Sequence, residues 1–203
     1  MERVIVYIDG FNLYFGMRDR GWRRYFWLDL QALAKRILKP NQQLISTKYF
    51  TARVRADKDK IARQSSYLQA LEVRGGIEFY LGRYQKKSKE CRNCHSKWHE
   101  YEEKMSDVRI ATELLRDAFK DNYDTAILIS ADADLLPPIE ALKTDFPKKK
   151  IVIGYPPRRD NPRLTAIAHS TFRIGRGRLS KCQLPTSVTK PDGYILSRPK
   201  EWT

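Results

Sequence analysis

The sequence predicts an α/β protein with a mainly parallel central sheet flanked by helices, and three observations favour this class. Short apolar runs bounded by turn residues alternate with longer segments in which apolar residues recur at helical spacing. Two of the runs, 3–8 and 125–129, are nearly continuous in apolar residues, as expected of parallel strands buried on both faces. The length of 203 residues, with 41% hydrophobic and 31% charged residues, is enough for one folded domain with a substantial core.

After the first strand, predicted helices and strands alternate in the first half of the chain. Residues 28–38 have helical apolar spacing and stop just before Pro40, which cannot continue a helix. Residues 44–54 are rich in β-branched and aromatic side chains and predict a strand. Helical spacing returns over 57–73 and ends before Gly75, a favourable residue for a C-terminal cap.

The middle of the chain continues the same alternation. A strand is predicted over 77–84, a long helix over 103–119 and a buried strand over 125–129. The helix predicted over 135–142 carries Pro137 in its first turn, where the missing amide hydrogen has no helical partner to lose.

The last elements complete the domain. A strand at 151–153, a short helix at 163–169 and a strand at 172–174 are predicted. We place the end of the domain at residue 177, which gives a domain over 1–177. Three prolines interrupt residues 178–203, which predict an irregular C-terminal tail packed on the domain.

The charge of the chain is large and unevenly distributed. There are 39 Lys and Arg residues against 24 Asp and Glu, a net charge of +15 that indicates a polyanionic partner. Half of the acidic residues nevertheless lie between Glu100 and Asp145, whereas 146–203 carry thirteen basic residues and three acidic ones. A concentrated acidic segment in a basic protein can hold cations while its surroundings attract phosphates. The alternative is a solvated acidic helix face beside a basic tail.

Carboxylates follow two of the most apolar predicted strands. Asp9 comes directly after the first strand, and Asp132 and Asp134 come shortly after the strand at 125–129. Ligands of open parallel sheets bind outside the carboxyl ends of the strands, so these acids are expected at one edge. Taken singly, each has a structural alternative, because Asp-Gly is a common turn and Asp132 can cap the next helix.

Asp107 favours the functional interpretation of these acids. In the predicted helix it lies in line with Ala111 and Leu114, on the face that should pack on the sheet. An inward carboxylate is costly without a partner. A salt bridge to Lys104 or Arg109 is the alternative, but neither basic residue lies on that stripe.

Convergence of Asp9, Asp107, Asp132 and Asp134 would create a metal site. Carboxylates about 5 Å apart repel by roughly 3 kcal/mol per pair at an effective dielectric constant near 20. All-oxygen ligands favour Mg²⁺ or Mn²⁺, ions that activate water and stabilise charge on a scissile phosphate. Asn12, which follows Asp9, and Ser130, which precedes Asp132, would serve as hydrogen-bond partners of the carboxylates or of phosphate oxygens.

Three segments, 7–13, 101–108 and 129–137, together resemble the NYN-domain proteins, the LabA-like branch of the PIN-like nuclease superfamily. The resemblance implies a Rossmann-like PIN fold and metal-dependent RNA cleavage. It places the four aspartates at the acidic catalytic positions of the family, and Asn12 and Ser130 at its polar ones. Two residues depart from the family pattern: Ala131, where the family usually carries glycine, and Met105, where glycine or glutamine is commoner. The family includes members without demonstrated activity, so a catalytically silent RNA-binding module of the same fold is the alternative.

A cysteine- and histidine-containing insertion is predicted at 85–100. Cys91, Cys94 and His99 have a spacing typical of structural zinc sites. A complete tetrahedral site needs a fourth ligand, for which the distant candidates are Cys182 and His169. A flexible polar hairpin with incidental cysteines is the alternative.

Basic residues alternate with aromatic ones just after Asp9, a composition that suits single-stranded RNA. Further basic groups follow two later strands, at the edge where the acids are expected. The candidate RNA-binding residues are Arg18, Arg20, Trp22, Arg23, Arg24, Arg53, Arg55, Arg158 and Arg159.

The sequence thus predicts a ribonuclease that uses Mg²⁺ or Mn²⁺, together with a possible structural zinc ion. A phosphatase of small nucleotides is a further alternative, disfavoured because the basic and aromatic surroundings suit a polymer. No apolar run reaches the roughly 18 residues of a membrane helix, and the first residues lack a secretion-signal pattern. A cytoplasmic protein without membrane partners is therefore expected.

Overall fold

The computed structural model describes residues 1–55 and 57–203, except for the side chains of 86 and 99–103. The α/β class is confirmed. The strands are β1 (Glu2–Asp9), β2 (Gln42–Ala52), β3 (Glu78–Glu90), β4 (Lys97–Lys104), β5 (Thr125–Ile129), β6 (Lys150–Tyr155), β7 (Ser170–Arg173), β8 (Ser187–Thr189) and β9 (Ile195–Ser197). The helices are α1 (Gly10–Asp19), α2 (Leu30–Ile37), α3 (Lys58–Arg74), α4 (Ser106–Phe119), α5 (Leu136–Asp145), α6 (Pro162–Ile167) and α7 (Arg176–Ser180).

The central sheet has the strand order β4-β3-β2-β1-β5-β6-β7. All neighbours pair in parallel except β3 and β4, so six strands form the parallel core of the sheet among the described residues. The chain leaves β1 to build β2 and β3 on one side, and then returns to build β5, β6 and β7 on the other. The carboxyl ends of β1 and β5 therefore form the point at which strand order reverses, where α/β proteins bind ligands.

Helices cover both faces of the sheet, which explains the continuous apolar strands. Val4, Val6 and Ile8 of β1 pack into one core cluster, while Ile5 and Tyr7 pack into the other. This alternation follows from the two-residue period of a strand, because each face meets its own layer of helices. None of the described helices is long and apolar enough to cross a membrane.

Helix α1 is the first difference from the sequence prediction, which left 10–27 unassigned. Asp9 caps this helix by accepting a hydrogen bond from the backbone N–H of Asn12 at 3.0 Å. Two glycines allow the helix to sit tightly: a Cβ at Gly10 would lie 2.7 Å from the Phe50 carbonyl oxygen, and one at Gly16 only 2.6 Å from the Pro157 carbonyl oxygen. These glycines weaken the helical signal in the sequence although they permit the packing.

The start of the helix predicted at 103–119 is the second difference. Residues 97–104 form β4 instead, and α4 begins at Ser106 after Met105, whose φ of 84° breaks the chain direction. The predicted insertion at 85–100 therefore forms most of an antiparallel ribbon made by β3 and β4. The first part of β3, residues 78–82, pairs with β2 and so connects the ribbon to the parallel strands. Pairing with β3 overrides the helical preference of the glutamates in this segment.

The C-terminal segment 178–203 contains short elements rather than an irregular tail alone. It includes the end of α7, the β8–β9 hairpin and a turn of 3₁₀-helix at Lys200–Trp202. Leu184 and Leu196 are buried in the same core cluster as β1, and Trp27 Nε1 donates a hydrogen bond to the Pro185 carbonyl at 2.7 Å. The segment therefore shares the core of the domain.

A buried ionic cluster fastens α4 to the sheet. Lys48 Nζ of β2 lies 2.7 Å from Glu113 Oε2 and 2.7 Å from Asp117 Oδ2, and the Tyr7 hydroxyl donates to Asp117 at 2.6 Å. Burial opposes the charge on Lys48, but its hydrogen bonds to Asp117 and Glu113 dominate and raise its pKa. Burial likewise opposes ionisation of Glu113, yet Lys48 and Tyr80 lower its pKa overall.

Replacing Lys48 by methionine should strongly destabilise the protein, because the side chains of Glu113 and Asp117 would stay buried without the cation that lies between them. The expected loss is about 3–5 kcal/mol in the free energy of unfolding, measured by chemical denaturation. The control is Lys150→Met, since Lys150 forms an exposed pair with Glu2 and should cost less than about 1 kcal/mol. Equal losses in the two variants would contradict the assignment of a buried anchor.

Candidate metal centre

Three of the four predicted aspartates converge at the carboxyl ends of β1 and β5. Asp9, Asp107 and Asp132 each place a carboxylate oxygen within 4.8 Å of the others, the one such group of potential metal ligands among the described residues. Asp9 ends β1, Asp107 lies in the first turn of α4, and Asp132 follows β5. The convergence depends on β1 and β5 being parallel neighbours and on α4 beginning at the same edge.

Ser130 and Asn12 hold the loop after β5 against the end of β1. The Ser130 hydroxyl donates to Asp9 Oδ2 at 2.8 Å and accepts a hydrogen bond from the Asp132 N–H at 3.1 Å. The side-chain oxygen of Asn12 accepts a hydrogen bond from the Ala131 N–H at 3.2 Å. Both predicted polar residues therefore lie at the site, where they fix the relative positions of Asp9 and Asp132.

The environment of Asp9 disfavours its charge. Only 4% of this residue is exposed. Burial is the main cause that raises its pKa to about 7, and the nearby carboxylates of Asp107 and Asp132 add to the effect, whereas hydrogen bonds from Asn12 and Ser130 oppose it. Among the described residues, no lysine or arginine forms an ion pair with Asp9 or Asp132.

The donor set fits a hard divalent cation. Asp9, Asp107 and Asp132 supply three carboxylates, each with an oxygen atom within 4.8 Å of the others. Mg²⁺ and Mn²⁺ prefer such ligands, whereas structural zinc prefers thiolate and imidazole. The site has the composition expected of a magnesium or manganese centre.

Asp134 lies outside this group. Its side chain is exposed, and its backbone N–H donates to Asp132 Oδ1 at 3.0 Å. The four-aspartate cluster predicted from the sequence is therefore a cluster of three, because the turn of 3₁₀-helix at Ala133–Leu135 carries Asp134 past the site.

The two departures from the family pattern have different consequences. Ala131 is not among the residues with positive φ, so the turn after Ser130 accepts alanine without strain. Met105 does have positive φ, at 84°, a conformation that favours glycine. It lies two residues before Asp107 and sets the point at which the chain turns from β4 into α4.

The predicted RNA-binding arginines have different surroundings. Arg158 and Arg159 both bond to Asp19, and so brace the end of α1. Arg53 and Arg55 are exposed just after β2, at the edge that carries the carboxylates.

The remaining candidates, in the last turn of α1 and the segment after it, pack partly against aromatic rings. The Arg20 guanidinium lies 5.7 Å from the centre of the Trp22 ring, and that of Arg24 lies 5.3 Å from the Tyr25 ring. Trp22 itself packs against the core. Arg18 bonds to Asp19 and also covers the Phe15 ring at 4.5 Å, whereas Arg23 is exposed. The aromatic residues of this segment are therefore mostly structural.

The cysteines of the ribbon occupy its turn, but the proposed distant ligands lie elsewhere. Cys94 is exposed, and hydrogen bonds from Ser96, followed by Cys91, lower its pKa to about 7. The side chain of His99 lies outside the described residues. The structure does not bring Cys182 or His169, the two candidates for a fourth zinc ligand, to this turn.

Cys182 is buried in the core, where its carbonyl accepts a hydrogen bond from the Asp29 N–H. His169 Nδ1 accepts a hydrogen bond from the Ile151 N–H next to β6, near the edge of the sheet opposite the ribbon. Neither residue lies at the turn that carries Cys91 and Cys94.

Asn161 is a site-supporting residue that the sequence analysis missed. Its side chain caps α6 through Arg163 and Leu164, and its Nδ2 donates to the Ala131 carbonyl at 3.3 Å. The Asn-Pro pair before a short helix signals the cap. Nothing in the sequence indicates that the same amide also reaches the loop after β5, because that contact spans 30 residues.

Comparisons with known proteins agree with this fold. The sequence profile of the NYN domain matches residues 3–174. A relative named 6-hydroxy-3-succinoylpyridine 3-monooxygenase, from Pseudomonas putida, is 30% identical over 244 aligned residues, which cover 98% of this chain and 75% of the relative. A crystal structure of a protein of unknown function from Vibrio parahaemolyticus superposes with a TM-score of 0.57 at 19% identity, covering 90% of this chain and 96% of the other, and shows the shared fold.

Asp9→Asn should stabilise the protein at neutral pH when EDTA removes divalent ions. The folded state raises the pKa of Asp9 to about 7 from an unfolded value near 4, so the folded protein binds more protons between these values. Wild-type stability should therefore fall as pH rises from about 4 to about 7, with the full penalty remaining above that range.

Thermal melting at pH 5 and pH 8 measures this effect. The melting temperature of the Asp9→Asn variant should exceed that of wild type most at pH 8, and the difference should be smaller at pH 5. Asp145→Asn, at the exposed end of α5, is the matched control without such a gain. A pH-independent difference between Asp9→Asn and wild type would argue against a buried, repelled carboxylate.

Proposed function

The chain belongs to the NYN-domain family, and we propose that it hydrolyses RNA phosphodiester bonds with Mg²⁺ or Mn²⁺ held by Asp9, Asp107 and Asp132. The observation that carries the proposal is the convergence of these carboxylates within 4.8 Å at the strand-order reversal of a parallel sheet. A cytoplasmic location and single-stranded RNA as the substrate form part of the same proposal.

Each residue of the site has a defined role in this proposal. Asp9, Asp107 and Asp132 are the ligands, and a bound Mg²⁺ or Mn²⁺ would supply Lewis acidity for the phosphate and activate water. Ser130 is a positioning residue, because its hydroxyl orients Asp9 while accepting from the Asp132 backbone. Asn12 holds the neighbouring loop through Ala131, so that Asp132 stays opposite Asp9.

The charge distribution supports a polymeric substrate. The protein carries a net charge of +15, although its site is acidic. Exposed Arg53 and Arg55 follow β2 at the same edge as the carboxylates. Such a basic surface attracts a phosphate backbone, while bound cations offset the repulsion between that backbone and the acidic site.

Asp132→Asn should lower the rate of RNA cleavage at least about a hundred-fold, because it removes a charged ligand at the reacting phosphate. The assay follows a labelled single-stranded RNA with Mn²⁺, with Mg²⁺ and with EDTA, and activity is expected only with the divalent ions. Asp134→Asn should lower the cleavage rate less than Asp132→Asn does, since Asp134 lies outside the group of three converging carboxylates.

Asp145→Asn is the control for loss of an acidic residue away from the site. Cleavage by wild type in EDTA, or equal rates for wild type and Asp132→Asn, would refute the proposed hydrolysis. Salt-sensitive RNA binding without cleavage under any of these conditions would leave the catalytically silent RNA-binding module in its place.

A second candidate is an enzyme acting on a small heteroaromatic acid. The relative from Pseudomonas putida is named for a hydroxypyridine that carries a succinoyl group. A cavity of about 570 Å³, lined by aromatic and basic side chains, adjoins the site in this chain and has the size of a small-molecule pocket. Melting with such a pyridine as ligand tests this candidate: stabilisation by the pyridine but not by RNA would favour it over the nuclease.

A structural zinc ion at the ribbon turn is a further part of the proposal, with Cys91, Cys94 and His99 as ligands. Zinc should copurify with wild-type protein and be lost in Cys94→Ser, as measured by elemental analysis. Cys182→Ser is the matched control and should retain zinc, because Cys182 is buried in the core. Equal zinc contents in the two variants would refute the site.

A further inference from the structure

A cavity of about 570 Å³ lies close to the candidate metal centre in the chain, because its lining includes the residues that directly follow Asp9. Gly10 and Phe11, the two residues in question, belong to α1 and contribute to the lining. The cavity lies between α1, α3 and the C-terminal segment, which contributes Trp202. The start of α1 therefore contributes both to the cavity lining and, through the preceding Asp9, to the candidate metal centre.

Aromatic rings dominate the walls of this cavity. The Phe11 and Phe15 rings stack with centroids 6.1 Å apart, and the Tyr14 ring lies 5.4 Å from that of Phe15. Trp202 stands edge-on to Tyr67, with the two ring centroids 6.0 Å apart. Tyr14 is 40% exposed, so its ring remains accessible despite these contacts.

Basic side chains also line the cavity. Arg18, Arg23, Lys60 and Arg63 contribute to the lining, with Glu201 as the acidic residue among the described lining groups. Glu201 is already paired with Arg63 at 2.9 Å. The cavity thus combines aromatic faces with an excess of positive charge, which complements a planar ring attached to a phosphate.

We propose that this aromatic cavity binds an unpaired nucleobase of the RNA strand whose backbone crosses the carboxylates. The inference rests on the proposed function, since it takes RNA as the polymer at the adjoining site. Aromatic faces stack on a base only when it is unpaired, so the cavity selects single-stranded RNA. The basic lining then contacts the phosphates next to that base.

The cavity is expected to accept any of the bases. Gln64, the lining residue with a side-chain amide, uses that amide within the protein: Nε2 donates to the Ala52 carbonyl and Oε1 accepts from the Val54 N–H, each at 2.8 Å. Base–aromatic stacking without hydrogen-bond recognition of base edges gives little sequence preference.

The test compares binding of two RNA strands of equal length, about ten nucleotides, the size typical of single-strand sites. One strand carries its bases and the other is abasic, and fluorescence anisotropy is measured in EDTA so that no metal-dependent cleavage intervenes. Wild type should bind the strand with bases about ten-fold more tightly or better.

Tyr14→Ala should remove most of this preference, and Tyr14→Phe should keep it, because the ring rather than the hydroxyl stacks. Tyr194→Ala is the matched control: Tyr194 is 62% exposed on the β8–β9 hairpin and does not line the cavity. Equal binding of the two strands by wild type would overturn the proposal, as would equal losses for Tyr14→Ala and Tyr194→Ala.

Competition between RNA and a hydroxypyridine carboxylic acid tests whether the cavity binds a small heteroaromatic acid instead of a nucleobase. If that acid binds in a Tyr14-dependent way while the two RNA strands bind equally, the cavity holds a small heteroaromatic acid and the nucleobase proposal fails. A preference for bases without cleavage in Mn²⁺ would support the nucleobase site while refuting the hydrolysis. Cleavage in Mn²⁺ without a preference for the strand with bases would support the hydrolysis and refute the nucleobase site.

Discussion

The arrangement of this protein depends on one unfavourable interaction, the burial of the Asp9 carboxylate next to two others. The centre of the sheet supplies the rigidity for it, because β1 is paired on both sides and buried on both faces. Hydrogen bonds from Asn12 and Ser130 offset part of the cost of the Asp9 charge. The cost that remains would fall if a divalent cation bound between these carboxylates, as the proposed function requires.

Asp107 is held at this place by a different mechanism. It belongs to α4, whose later turns are fastened to β2 by the contacts of Lys48 with Glu113 and Asp117. Met105 fixes the other end of the helix, where the chain leaves the ribbon with a positive φ. A buried ion pair contributes little net stability compared with apolar packing, but its geometry restricts how the helix lies on the sheet. The ionic cluster therefore helps to position the helix that carries Asp107.

The sequence predicts those parts of the fold that depend on short-range patterns. Continuous apolar runs identify the strands at 3–8 and 125–129, and the acids that follow them identify Asp9 and Asp132. The pattern fails where tertiary contacts override local preference: α1 contains two glycines that close packing requires, and the segment before Asp107 pairs as a strand. The exclusion of Asp134 depends on a single turn of 3₁₀-helix, which hydrophobic spacing does not resolve.

Gly10 contributes to the lining of the aromatic cavity and directly follows Asp9, so its packing affects both the cavity and the carboxylates. A side chain at this position would collide with the Phe50 carbonyl oxygen and the Tyr49 ring, each 2.7 Å from the Cβ position. Because Asp9 caps the helix that begins at Gly10, any displacement of α1 from β2 would shift the hydrogen bond from Asn12 to Asp9 and move Phe11 in the cavity wall. Because Gly10 has no side chain, α1 can pack closely on β2, and this packing fixes the positions of Asp9 and of the Phe11 wall of the aromatic cavity.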